Sequence, residues 1–147
     1  GATKAAIEEG IVPGGETAFL RAREVLKTLK IEGMDDKRNE DLQLGKDIVY
    51  SALEQPIRWL IKNAGDDDEL AIQKIKMSKD ADYGYNALTS EFGSMIKMGI
   101  VDPVKVTRCA LQNAASVAMM VLTTEGLVTD IPEEKKEPPM PAGGMEY

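Results

Sequence analysis

The run from Asp102 to Gly126, DPVKVTRCALQNAASVAMMVLTTEG, constrains this chain more than any other segment. Beyond Pro103 it holds no helix breaker before Gly126, and Val106, Cys109, Ala110, Ala114, Val117, Ala118, Val121 and Leu122 recur at the spacing of one helix face. Asp102 followed by Pro103 reads as a cap with proline at the first helical position, and Gly126 reads as the stop. The small residues along the stripe permit a neighbouring backbone to approach closely, so this face is expected to be buried. A chain organised around such an element is expected to be mostly α-helical.

The same periodicity recurs upstream in shorter pieces. Residues 2–9 (ATKAAIEE) read as a helix already in progress with no cap before it, the pattern of a chain trimmed from a longer one. GIVPGG, from Gly10 to Gly15, breaks that helix, and a second opens at Glu16 or Thr17. Its apolar side carries Phe19, Leu20, Val25, Leu26 and Leu29, with Arg21, Arg23, Lys27 and Lys30 opposite. Glu32 to Asn39 reads as a solvated loop, and Leu42 to Leu53 as a helix that Pro56 interrupts or restarts, with Ile57, Leu60 and Ile61 continuing to Gly65. The acidic run Asp66 to Glu69 suits a helix amino terminus, where unpaired N–H groups favour negative charge. Tyr83 to Asn86 and Leu127 to Ile131 read as two brief strands, paired with each other or with a partner elsewhere, with a loop or short helix through Met95 and Met98 after the first. The expected organisation is one structured segment over 1–131 and a flexible tail over 132–147, whose four prolines and mixed charge favour disorder.

Composition removes several kinds of chemistry. With no histidine and Cys109 as the one cysteine, no internal disulfide, CxxC motif, histidine metal site or Ser-His-Asp triad is available. A net charge of -7 argues against nucleic acid or anionic membrane as a partner, since both recruit basic patches. No apolar run approaches the roughly 20 residues of a membrane span, and no signal-peptide core opens the chain. A soluble, cytoplasmic protein is expected.

Three features could share one nucleotide site, and each has a plainer alternative. The Gly14-Gly15 turn before a helix can offer N–H groups to phosphate, or it is an interhelical turn, since no P-loop or dinucleotide fingerprint is present. Asp102 can accept from ribose hydroxyls or simply cap its helix. Asn86 can meet a base edge as donor and acceptor, or shape a turn. Cys109 reads as an inert core thiol, the acidic run as helix-start charge rather than a metal site, and Trp59 as core or interface packing.

Taken together, AAIEEGIVPGG, YGYNA and MGIVDPVKVTRCALQNAASVAMMVLTTEGLVTD resemble the closing portion of the group I (GroEL-type) chaperonin large subunit, over residues 1 to about 131. The resemblance implies a helical bundle with a few short β-strands, the carboxyl-terminal part of an equatorial ATP-binding domain, with residues 1–10 ending an intermediate-domain helix. It implies that Gly15 approaches the phosphates or ribose, that Asn86, Ala87 and Leu88 line the adenine pocket, that Ile100 adds apolar contact, and that Asp102 holds the ribose. It implies ATP with Mg2+ as cofactor of an intact homo-oligomer, a double ring in which Glu40, Arg58 and Asp67 make contacts between rings. Unfolded polypeptides and a co-chaperonin would bind through domains outside this chain, as would the metal ligands and the hydrolytic aspartate, so the fragment alone should not hydrolyse ATP. Glu16 stands where the family usually has a third glycine, Leu88 where it has a smaller residue, and the tail carries one Gly-Gly-Met unit, Gly143 to Met145. Uncovered apolar helix faces are expected in such a fragment. The rival expectations are an independent helical protein-interaction domain and a small nucleotide-dependent enzyme.

Overall fold

The computed structural model describes residues 1–29 and 36–131. In chain order these form α1 (Ala2–Glu9), β1 (Ile11–Pro13), α2 (Thr17–Thr28), α3 (Asp36–Ala52), α4 (Gln55–Asn63), α5 (Asp68–Met77), β2 (Tyr83–Asn86), β3 (Glu91–Ser94), β4 (Val101–Pro103) and α6 (Val104–Thr123). The architecture is mostly helical with a few short strands, as the periodicity predicts. Asp36 to Asn39 belong to α3 rather than to a solvated loop, and Lys30 to Asp35 and the tail from 132 lie outside the described residues.

The core is built by Leu20 of α2, Ile57 and Ile61 of α4, Ala71, Ile72 and Ile75 of α5, and Tyr85 of β2. Each large aliphatic side chain buried there contributes about 1.5–3 kcal/mol. Local chemistry sets the helix ends that hold it. Pro56 sits in the first turn of α4, where its missing N–H has no intrahelical partner to lose. Asp67 caps α5 by accepting from the Leu70 N–H at 3.0 Å, with Asp68 and Glu69 in the first turn. Arg21 closes the other end of α5, its guanidinium donating to the carbonyls of Ile75, Ser78, Asp80 and Tyr83.

The two faces of α2 are partly exchanged relative to the sequence expectation. Arg23 is only 5% exposed, while Val25 and Leu29 lie open. A buried carboxylate explains the exchange: Glu54 is also buried and receives Arg23, Arg58 at 2.5 Å and Lys76 at 2.5 Å. A charge removed from water must be paired, and Arg23 does so while its guanidinium lies 3.8 Å from the Tyr50 ring centroid.

Strand pairing also departs from expectation. β2 pairs antiparallel with β3, which falls in the segment read as a loop or short helix, and residues 127–131 form no strand. β1, within the supposed break, pairs antiparallel with β4, bringing Val12 opposite Asp102. Asp102 is therefore a strand residue and not the cap of α6. Pro103 takes the cap position, no side chain caps that end, and the helix stops at Thr123, short of Gly126. The expected buried stripe of α6 is uncovered among the described residues: Val106, Val117, Val121 and Leu122 are exposed, and Cys109 is half-buried instead of sealed in a core. What anchors α6 here is α1, through Lys105 to Glu8 and a two-bonded Arg108 to Glu9 pair at 2.6 and 3.0 Å.

Candidate functional site

The β1–β4 ladder ends at the glycine turn, and the backbone there is packed too closely for side chains. The Gly14 N–H donates to the Ile100 carbonyl at 2.9 Å, and a Cβ on Gly14 would stand 3.0 Å from the Val101 nitrogen. Gly15 has φ +62°, and a Cβ there would stand 3.3 Å from the Tyr85 carbonyl oxygen. The turn is thus wedged between β4 on one side and the end of β2 on the other. It joins the Ile100–Val101 backbone, one residue before Asp102, to the peptide that leads into Asn86.

Gly84 and Thr17 make the second half of this junction, and sequence reasoning missed both as site-forming residues. A Cβ on Gly84 would lie 2.3 Å from the Thr17 hydroxyl oxygen and 2.8 Å from Met95 Cγ, so only glycine lets β2 lie on the start of α2. The signal available beforehand was the glycine flanked by two tyrosines. Thr17 is fully buried at the first position of α2.

Beyond Tyr85 the chain turns through residues 87–90, between the paired Asn86 and Glu91. The Asn86 Oδ1 accepts from the Leu88 N–H at 3.0 Å, an Asx turn that leaves its amide NH2 without a protein partner among the described residues. Ala87 packs partly buried against the core, whereas Leu88 is 92% exposed at the loop tip. The turn role and a ligand role for Asn86 therefore coexist, with the donor side the available one.

Ile100 is half-buried and its N–H donates to the Met95 carbonyl at 2.8 Å. Asp102 is half-buried, with no hydrogen bond or ion pair to a described residue at its carboxylate. The Glu16 carboxyl is pushed above its ordinary value first by burial and then by the Asp102 charge. Glu16 itself holds the left-handed conformation, φ +61°, at the start of α2. The locality thus offers closely approached backbone, an amide donor, an apolar Ile100 side chain and a free carboxylate acceptor. Those groups suit the hydroxyls of a ribose and the edge of a base. The Glu16 carboxylate beside the glycine turn disfavours phosphate there, and no histidine or thiol in this locality supplies a base or nucleophile.

The residues expected at a ring-to-ring contact are differently disposed. Glu40 is exposed, Asp67 is exposed while capping α5, and Arg58 is turned onto this chain's own Glu54, Asp68 at 2.6 Å and Glu69 at 2.9 Å. Trp59 belongs to no core: it is 62% exposed, with the Lys62 ammonium 5.9 Å from its ring centroid.

Among known structures the chain is similar to a group III chaperonin crystallised in the open state, with 28% identity and a TM-score of 0.69 over 84% of this chain and 25% of that one. Its fold is also that of an open-state monomer of a group II chaperonin from Methanococcoides burtonii, with a TM-score of 0.63 at 23% identity over 78% of this chain and 28% of that one. It spans about a quarter of the length of these chaperonins. No helix among the described residues is long and apolar enough to cross a membrane. The model of the TCP-1/cpn60 chaperonin family matches residues 1–132 of the 147, and the protein belongs to that family.

Proposed function

We propose that this chain is the carboxyl-terminal section of the equatorial domain of a group I, GroEL-type chaperonin subunit, and that it contributes the base and ribose half of an ATP site. The observation that carries this is the wedged glycine turn, in which Gly14 packs on the Ile100–Val101 backbone, next to the Val12–Asp102 pair, and Gly15 packs on the Tyr85 carbonyl that leads into Asn86. In this reading Asp102 accepts from the ribose hydroxyls, the Asn86 amide donates to the base edge, and Ala87, Leu88 and Ile100 exclude water from the base. Gly15 lets the backbone approach. ATP with Mg2+ supplies, when bound and hydrolysed, the free energy that drives a folding cycle. The phosphates and metal are held by segments outside these 147 residues, consistent with the carboxylate that Glu16 places near the turn.

The parent is a cytoplasmic homo-oligomer of two stacked rings that assists unfolded polypeptides and engages a co-chaperonin through its other domains. Support for the group I assignment comes from the sequence of the Asp102 to Asp130 segment and the Gly-Gly-Met unit of the tail. Glu40 is exposed and Asp67 is exposed while it caps α5, so both can meet another ring, whereas Arg58 reaches it only through the cluster it already neutralises. The test is titration calorimetry with ATP and Mg2+ on this chain and on the intact subunit. Weak or no binding by the chain, with clear binding by the subunit that Asp102→Ala weakens, is the expected outcome. Magnesium-dependent turnover by the chain alone would refute the assignment of half a site.

A further inference from the structure

The loop that carries Asn86, Ala87 and Leu88 is tied at both ends to one carboxylate outside it. Asp66 Oδ2 accepts from the Tyr85 hydroxyl, just before the loop, and from the Ser90 hydroxyl at 2.8 Å, at its far end. The two hydroxyls are themselves 3.3 Å apart, so the three groups close a triangle. Asp66 stands on a fixed base: its N–H donates to the Ile61 carbonyl at 3.2 Å, and Gly65 before it adopts φ +88° to end α4. Tyr85 is anchored from the other direction, its ring sealed in the core and 5.2 Å from that of Phe92. Ser90 holds φ +56°, a conformation disfavoured for any residue with a side chain, and its hydroxyl bond to Asp66 offers a reason for it to stay there. The hydroxyl bonds also hold the Asp66 carboxyl below its ordinary value, Tyr85 contributing most and Ser90 next. Beside the triangle lies a cavity of about 210 Å3 between α5 and the hairpin, lined in part by Leu70, Lys74 and Phe92, so little packing supports the loop on that side.

We propose that Asp66 is a positioning residue for the nucleotide: through Tyr85 and Ser90 it holds the Asn86–Leu88 loop against the turn between α4 and α5. The proposal rests on the assignment of that loop to the base pocket. It also makes the loop answerable to the α4–α5 turn, whose next residue, Asp67, is exposed at the surface expected to face a second ring.

The experiment uses the intact chaperonin subunit, with hydrogen exchange of residues 86–90 and steady-state ATP hydrolysis as paired readouts. Asp66→Ala removes two hydrogen bonds to a charged acceptor and is expected to speed loop exchange by about tenfold or more. The KM for ATP should rise several-fold with kcat little changed, the signature of lost ground-state positioning. Ser90→Ala, which leaves Asp66 and the start of α5 untouched, should move both readouts in the same direction by less. Asp66→Asn should retain much of the wild-type behaviour, because both bonds end on one oxygen that an amide carbonyl can replace. If Asp66→Asn fails as fully as Asp66→Ala, the charge near the α5 amino terminus is what matters and the proposal is overturned. Unchanged exchange in Asp66→Ala overturns it as well. If Asp102→Ala raises KM while Asp66→Ala does not, the latch is wrong and the site stands. If neither variant alters KM, the base-pocket assignment has failed and the proposal falls with it.

Discussion

Replacing Glu16 by glycine should stabilise this chain, against the usual direction of point mutations. Glu16 adopts φ +61° and ψ 7° at the start of α2, makes no capping bond with its side chain, and lies half-buried facing Asp102. The left-handed conformation costs a residue with a Cβ about 1–2 kcal/mol. Glycine returns roughly 0.4–1 kcal/mol of that through its larger unfolded-state entropy. The backbone gain of Glu16→Gly is then about 0.5–1 kcal/mol, or roughly 1–4 °C in Tm for a chain of this size. A second gain comes from the charge and depends on pH. The folded-state carboxyl holds its proton above the ordinary value of 4.5, so its contribution to stability is fully present below that pH and is lost as pH rises through the folded value. Glu16→Gln keeps the backbone conformation but removes the charge. Urea unfolding followed by far-ultraviolet circular dichroism at pH 4 and pH 7 separates the two effects. Glu16→Gly should exceed wild type at both pH values, whereas Glu16→Gln should exceed it only at the higher. A glycine variant no more stable than the glutamine variant at either pH would refute the backbone term.

Two further substitutions probe the packing that positions the site. Glu54→Ala leaves Arg23 buried without its carboxylate and should destabilise the chain by about 3–5 kcal/mol in the same unfolding assay, against a small effect from Lys76→Ala, whose side chain is 40% exposed. Gly84→Ala drives a methyl group to 2.3 Å from the Thr17 hydroxyl oxygen and 2.8 Å from Met95 Cγ, and should cost about 1–3 kcal/mol or more, with Thr17→Ser giving no rescue because the clashing oxygen remains.

Much of the helical architecture was legible because it depends on local signals. The acidic run does begin α5, Pro56 does open α4, and Thr17 does open α2, since caps and proline act within one turn. The strands were not, because pairings of three or four residues carry almost no periodicity. β1 hides inside a glycine-proline break, and β4 takes the Asp102-Pro103 pair that locally imitates a helix cap. The inward turn of Arg23 was invisible for a related reason: it depends on Glu54, thirty-one residues away, being buried too. Of the candidate site, Gly14 lies on the Ile100–Val101 backbone, Asp102 pairs with Val12 and Gly15 meets the Tyr85 carbonyl that leads into Asn86, while Leu88 stands exposed at the loop tip. The roles of Asp66, Ser90 and Gly84 emerge only once β2 and β3 are paired, which places residues distant in sequence against one another. The stripe of α6 is apolar at helical spacing, but the burial expected of it is absent, because nothing among the described residues covers it.

In the proposed function the wedged glycine turn, the loop after β2 and the β4 aspartate form one face of a nucleotide site. Photolabelling of the intact chaperonin with a base-azido analogue of ATP in the presence of Mg2+, followed by peptide mapping, tests it directly. The label should fall on the peptides spanning Asn86 to Leu88 or Ile100 to Asp102 and disappear with excess ATP. Label confined elsewhere in this chain, for example to the cavity of about 340 Å3 lined by Leu26, Lys46 and Tyr50, would contradict the account.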